Sequence, residues 1–592
     1  SELFDDAAPD AAGPDAGIAD APSFDARGDE RAPSFDAGAP DADASAFDSG
    51  PRGVDSGGDA CSVDCTPATT PAPRPLAPLS TATATSQTPL LHWVLAPGED
   101  GAQVDIFRDR ACTLQVTTFR AHGSSGVPPM SLAQGVYFWR VHGTANEIVG
   151  TDASPVWELF VGARSAPTNS SWGTTLDVDG DGVPDVLVGA IGVDANVGAA
   201  YLYSGGASAL AQSPMMLVNP APPLGLFGSS VASAGDVDGD GYADLVVGAR
   251  AIVGQGLAGT AYVFRGGPNG PSSTPVALDG PTAPNAVFGY SVASAGDVNG
   301  DGYADVVVGA WGVESAYVYL GGPSGISSAG VALSGAGGVG FGISVAGAGD
   351  VNGDGFGDVV VGGNRVGAGG TAFLYLGGTG GPSTSPITIS SPAGTSSSFG
   401  YSVSSAGDID GDGLADVVVG AIEVNGIDGA AYLYRGVSTG LESVPSVIDG
   451  GGATTFFFGQ CVANAGDVND DGFGDVVATS GANEVPGTAF LFLGGPGGLS
   501  PAGAMSVGGS LGATAAAAGD LDGDGFADVL VGGPSGGDTT EEGDIGVYFG
   551  SANGVSTTDP IDISGAGGVD QMFGGSVALR VGGTRIRAIG PP

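Results

Sequence analysis

Nine residues recur seven times in this chain, and no other feature narrows the possible folds so far. One copy reads Asp297-Val298-Asn299-Gly300-Asp301-Gly302-Tyr303-Ala304-Asp305, with oxygen-bearing side chains at loop positions 1, 3, 5 and 9. Hard oxygen donors at that spacing suit Ca2+, which takes six to eight oxygens in adaptable geometry. Gly302 stands at position 6, where a sharp turn calls for a residue free to adopt unusual dihedrals. A helical calcium loop would run on to a glutamate at position 12 and then a helix. Here Val306-Val307-Val308 follow, a β-branched run that favours a strand. The loop is expected to connect two strands of a hairpin and to be closed by metal.

The candidate ligands repeat with the loop. They are Asp177, Asp179, Asp181 and Asp185 in the first copy and Asp236, Asp238, Asp240 and Asp244 in the second. Asp297, Asn299, Asp301 and Asp305 form the third set; Asp350, Asn352, Asp354 and Asp358 form the fourth. The last three sets are Asp408, Asp410, Asp412 and Asp416; Asp467, Asn469, Asp471 and Asp475; and Asp520, Asp522, Asp524 and Asp528. Successive copies start 59, 61, 53, 58, 59 and 53 residues apart. Such a period calls for a repeat architecture. Each unit carries a small-residue strand, the loop, a Val-rich strand, a third strand and a short apolar fourth. In one unit these read "FGYSVSSAGD", "DVVVGA", "AAYLYRG" and "SVIDG". Four short strands repeated seven times predict an all-β chain built around a seven-bladed β-propeller over residues 165–592. The tail "FGGSVALRVGGTRIRAIGPP" begins another unit but has no loop; it is expected to complete the ring against the first blade, with an incomplete eighth blade as the alternative.

Two other regions precede the repeats. Residues 1–70 are rich in Asp, Ala, Pro, Ser and Gly, and same-sign charge with little apolar content predicts a disordered tail or stalk. The tail contains Arg27-Gly28-Asp29, a tripeptide that many integrins recognise, although three residues in so biased a stretch arise readily by composition. Cys61 and Cys65 are close enough to pair in an oxidising compartment. In residues 71–164 the segments "AQVDIFRD", "CTLQVTTF", "GVYFWRVHG" and "PVWELFVG" alternate like half-buried strands, predicting a small β-sandwich. Trp157, Leu159 and Val161 are expected on one face, with Glu158 pointing away. All three histidines (His92, His122 and His142) fall here on separate strands and read as solvated or core residues. Cys112 and Cys461 are expected in strands as small buried hydrophobes.

A formal net charge of −48 argues against a nucleic-acid partner, whose phosphates need a basic footprint. No apolar run approaches the roughly 20 residues of a transmembrane span. The chain begins at Ser1 rather than Met, as expected of a processed N-terminus. Abundant calcium loops are useful mainly where calcium is plentiful, which predicts an extracellular or cell-surface setting.

The Phe-Gly and Gly-Ala pairs around the loops carry a family resemblance. Phe288-Gly289 with Gly309-Ala310 and Phe399-Gly400 with Gly420-Ala421 resemble the FG-GAP repeats of the integrin α-subunit β-propeller; similar pairs stand at Phe227-Gly228, Phe341-Gly342 and Phe458-Gly459. The resemblance implies calcium at the hairpin between the first and second strands of each blade and ligand recognition on the opposite face. Departures occur at Trp172-Gly173, at Leu511-Gly512 and in the sixth unit, which has Asp470 for the usual loop glycine and no Gly-Ala pair. The order of "LLHWVLAP" and "GVYFWRV" in residues 71–164 resembles a fibronectin type III or related immunoglobulin-like sandwich.

These readings predict a calcium-stabilised binding or adhesion module with about seven ions and a protein or glycan ligand. Candidate contacts opposite the loops are Arg250, Trp311, Arg365 and Glu423, since aromatic and Arg side chains dominate binding hot spots. A structural spacer is the alternative. An enzyme is not expected: the propeller has no His or Lys, so a Ser/His/Asp or Cys/His mechanism cannot be assembled there. Only a carboxylate pair drawn from Glu314, Glu423, Glu484 or Glu541-Glu542 would remain, for glycan cleavage. Oligomeric state is not legible.

Overall fold

The computed structural model of the chain describes residues 72–577, except 78–81, 85–86, 110, 134, 147, 155, 162–175, 180–183, 206–209, 211–212, 223–224, 239–241, 253, 302, 336–337, 395–396, 413, 427, 451–455, 470, 472, 483–484, 506–513, 523–525, 534–543, 557–559 and 565–572. The readings made for residues 1–70, with Arg27-Gly28-Asp29, Cys61 and Cys65, lie outside the described residues. So do those for Trp172-Gly173, Asp181, Asp240, Gly302, Asp470, Glu484, Leu511-Gly512, Asp524 and Glu541-Glu542.

Before the repeats, two sheets form. One pairs Leu91–Val94 with Arg74–Ala77 and Ser125–Gly126; the other runs Ala82–Ala84, Trp157–Val161, Gly135–Ala145, Gly101–Phe107, Gln115–His122, with Ile148–Ala153 added to Gly135–Ala145. Alternating residues supply a core of Leu91, Trp93, Val104, Ile106, Trp139 and Val141. Leu159 and Val161 are buried as expected, and the side chains of Trp157 and Glu158 lie outside the described set. His122 is exposed, whereas His142 Nε2 lies 3.4 Å from Asp105 Oδ2. Burial works against the Asp105 charge, but His142, Thr118 and Gln103 hold its carboxyl below the usual range.

The strand expected to hold Cys112 does not reach it. Cys112 sits half-buried in a turn at φ +57, because the Asp109 carboxylate accepts the backbone N–H groups of Thr113 and Leu114 and so ties the chain into a bend. The strand starts at Gln115. Cys461 is buried as expected, but it precedes strand Val462–Gly466 rather than lying within it.

From Val186 onward the described residues form seven four-stranded antiparallel sheets, the repeated unit of a β-propeller, apart from one two-stranded ribbon at Gly436–Val437 and Gly440–Leu441. The third is typical: Phe288–Gly296, Asp305–Ala310, Ser315–Tyr319 and Val331–Ser334 pair in chain order. Its second strand is buried along its whole length, which is why it reads Val306-Val307-Val308 rather than alternating. The fourth strand alternates, burying only Leu333 fully, as an outer edge should. In the first sheet the innermost position is filled from the far end of the array: Phe573–Val577 pairs antiparallel with Val186–Ala190. Helix among the described residues is limited to single turns at Val193–Asn196 and Trp311–Val313.

Candidate metal loops and the opposite end of the blades

The loop of residues 350–358 is described in full. Asp350 Oδ1 accepts the N–H groups of Gly353 and Asp354 at 2.7 and 3.1 Å, and its Oδ2 accepts Gly355 N–H at 2.8 Å. Gly353 and Gly355 have φ of +73° and +87°, so the turn needs glycine at position 4 as well as at position 6. Burial, opposed by the Gly355 bond and assisted by the charge of Asp354, pushes the Asp350 carboxyl up to about 6.

Position 9 has a role that the spacing argument missed. In all seven loops its carboxylate is buried and accepts two backbone N–H groups, one per oxygen. Asp358 Oδ2 takes Val351 N–H at 3.0 Å and Oδ1 takes Gly377 N–H at 2.8 Å. The first and last loops do the same through Asp185, with Val178 and Gly205, and Asp528, with Leu521 and Gly550. Asp244, Asp305, Asp416 and Asp475 complete the set. This residue staples the loop to the turn that leaves the third strand. The usable signal is the glycine that recurs just after each third strand: Gly205, Gly266, Gly321, Gly377, Gly436, Gly494 and Gly550.

Successive loops are also tied to one another. The N–H groups of Ala243, Ala304, Gly357, Ala415, Gly474 and Ala527 donate to the carbonyl of the first loop residue in the preceding blade (Asp177, Asp236, Asp297, Asp350, Asp408 and Asp467).

Several of these loops could hold metal ions. In four of them, Asp177, Asp179 and Asp185, Asp236, Asp238 and Asp244, Asp408, Asp410 and Asp416, and Asp520, Asp522 and Asp528 bring one carboxylate oxygen each to within 4.8 Å of one another. Burial, with the charges of Asp179 and Asp177 adding to it, pushes the Asp185 carboxyl up to about 8. Position 3 supplies oxygens with no internal partner: Asp238 Oδ1, Asp410 Oδ1 and Asn469 Oδ1 are buried without a hydrogen bond. An all-oxygen set with buried, unpaired acceptors and crowded like charges fits a hard divalent cation such as Ca2+ and does not fit zinc. Where position 3 is asparagine, Asn299, Asn352 and Asn469 donate from Nδ2 to Asp301, Asp354 and Asp471 of the same loop.

Antiparallel pairing puts the connections between second and third strands at the other end of each blade. There Arg250 and Trp311 meet on one ring. The Arg250 guanidinium lies 5.5 Å from the centroid of Tyr290, and Trp311 packs edge-on to the same ring at 6.0 Å. Trp311 Nε1 is buried without a hydrogen-bond partner. Tyr290 was not anticipated; it follows the Phe288-Gly289 pair on the innermost strand, and its counterpart two blades on is Tyr401. Burial raises the hydroxyls of both above the usual phenol value, further at Tyr401, with Arg250 opposing the shift at Tyr290. The other two expected contacts are not on this ring. Arg365 is exposed on the next blade, and Glu423 on the one after accepts a hydrogen bond from Ser398 Oγ at 2.6 Å. Glu314 is likewise exposed, accepting Gly338 N–H at 3.3 Å.

A family model described as FG-GAP-like repeat matches residues 177–247, 236–308, 297–361, 350–419 and 467–531. The chain belongs to the FG-GAP-like repeat family. Integrin alpha-5 of Xenopus laevis is 32% identical over 205 residues, which is 33% of this chain and 19% of that protein. Integrin alpha-IIb of Homo sapiens is 39% identical over 154 residues, 24% of this chain and 15% of that one. Integrin alpha-8 of Mus musculus is 36% identical over 176 residues, or 27% and 16%. The chain thus spans less than a fifth of the length of these relatives. Among solved structures, the exotype rhamnogalacturonan lyase YesX aligns over 82% of this chain and 67% of that one at 14% identity, with a TM-score of 0.25, a level at which neither fold nor function carries over.

The paired glycines of an FG-GAP repeat have a steric explanation here. A Cβ on Gly309, in the Gly-Ala pair of one blade, would run into the carbonyl oxygen of Gly342, in the Phe-Gly pair of the next. Gly248 meets Gly289, Gly362 meets Gly400 and Gly420 meets Gly459 in the same way. The phenylalanine fills the space beside this contact. Phe288 is buried among Val263 of the preceding blade and Val306 of its own, with its ring 5.8 Å from that of Tyr317. At these four junctions the repeat therefore encodes its contact with its neighbour.

Proposed function

We propose that the chain is a calcium-stabilised, extracellular binding or adhesion module: an acidic tail (residues 1–70), a fibronectin type III-like sandwich (71–164) and a closed seven-bladed FG-GAP propeller (165–592). About seven Ca2+ ions occupy the loops, held by the carboxylate and carboxamide oxygens at positions 1, 3, 5 and 9, and they serve stability. A protein or glycan ligand binds at the opposite end of the blades. The cluster of Arg250, Tyr290 and Trp311 carries this reading, because it places a cation, an aromatic face and an unsatisfied indole N–H together on a rigid scaffold. The integrin α relatives support adhesion as the role. The repeats contain no His or Lys, which supports a binding rather than a catalytic module.

The test is an array of glycans and matrix-type proteins probed with the full chain in calcium. Saturable binding that falls at least tenfold in Arg250→Ala and Trp311→Ala is expected. Binding unaffected by both changes would remove the proposed surface, and no saturable ligand would favour a spacer.

A further inference from the structure

Two of the seven loops contain a built-in cation. Arg265 follows the third strand of the second blade, and its Nη1 lies 3.1 Å from Asp238 Oδ2, at position 3 of the loop. Arg435, at the same place in the fifth blade, puts Nη1 2.9 Å from Asp410 Oδ2. In each case the other oxygen of the carboxylate, Oδ1, is buried and unpaired, and the carboxylate belongs to a crowded acidic set, with Asp236 and Asp244 or with Asp408 and Asp416. The guanidinium also reaches the following blade. Arg265 Nη2 donates to Ser324 O at 2.5 Å, and a Cβ on Gly325 would collide with it. A Cβ on Gly498 would lie 2.9 Å from Arg435 Nη2. The equivalent positions elsewhere are Ser204, Leu320, Leu376, Leu493 and Phe549, none charged.

We propose that Arg265 and Arg435 are positioning residues for the metal sites of the second and fifth loops. Each holds one oxygen of the third-position aspartate so that the other faces the ion, and each links occupancy of its site to the glycine turn of the next blade. The proposal rests on the loops being calcium sites. Its physical basis is twofold. A carboxylate fixed through one oxygen spends less rotational freedom on binding, and partners that orient a ligating group typically change metal affinity 10–100-fold. The guanidinium also offsets part of the repulsion among three crowded carboxylates before the ion arrives. By sequence the seven loops then fall into distinct classes: aspartate with arginine after the third strand in two, aspartate with Ser204 or Phe549 at that place in two, and asparagine in three.

Hydrogen exchange followed by mass spectrometry on the full chain, titrated with Ca2+, reads each loop separately. Arg265→Leu should raise the calcium midpoint for protection of residues 236–244 about tenfold, leaving 408–416 unmoved; Arg435→Leu should do the reverse, and Arg265→Lys should fall between. A midpoint that stays put or drops overturns the positioning role. So does equal loss of protection at Ser324-Gly325 with and without calcium while the midpoint holds, the mark of a purely structural contact. If no loop of the unmodified chain gains protection with calcium, the metal reading itself fails, and the proposal with it.

Discussion

The two ends of each blade obey different rules. At the loop end the same hydrogen bonds repeat: in all seven copies a ninth-position aspartate grips two backbone N–H groups, and the second to seventh each link to the first loop residue of the blade before. At the other end the second to fifth blades differ from one another. One offers Arg250, the next Trp311 in a 3-10 turn, the next an exposed Arg365, the next Glu423 bonded to Ser398. Uniform chemistry suits a task every blade must perform, holding its shape against its neighbour. Variation suits a surface that need fit only one partner, because loops can change while the sheets beneath hold them.

That division can be broken by experiment. Chelation should have the largest effect, since it strips every loop at once and leaves buried like charges facing each other: a fall in melting temperature of about 10 °C or more is expected, restored by Ca2+. An unchanged melt would mean that the loop end holds itself together without metal. Asp358→Ala comes next. It strands the N–H groups of Val351 and Gly377 and should cost about 3 kcal/mol in chemical denaturation, whereas a loss below about 1 kcal/mol would demote the staple to a solvated contact. Gly309→Ala should cost about 1–3 kcal/mol by pushing one blade off the Gly342 carbonyl; neutrality would show that the blades separate easily. Trp311→Ala should alter stability least, by about 1 kcal/mol or less, while abolishing ligand binding. A large loss of stability there would erase the contrast between the two ends.

Much of this architecture was legible because the repeat advertises it. The period located the sheets, and the all-valine runs marked strands buried on both faces. Oxygen side chains at positions 1, 3, 5 and 9 marked the loops. What stayed hidden depends on groups far apart in the chain. Nothing near Asp358 announces that its partner is the backbone of Gly377, and Arg265 reads as a surface cation until folding sets it against Asp238. Tyr290 is similar: adjacent to a Phe-Gly pair, it looks like one more strand residue, and only the ring places Arg250 and Trp311 around it. Cys112 misled because an alternating pattern continued through a turn that one aspartate, Asp109, had already fixed.

The pairing of Phe573–Val577 with Val186–Ala190 has a consequence for biosynthesis. The first sheet of the repeat array lacks its inner strand until the chain has been made through residue 577, so the earliest blade is the last to be finished. Until then its exposed inner edge invites the wrong partner, including the same edge on another nascent copy. Late release or C-terminal truncation should therefore show up as exchanged or aggregated chains rather than as a slightly smaller protein.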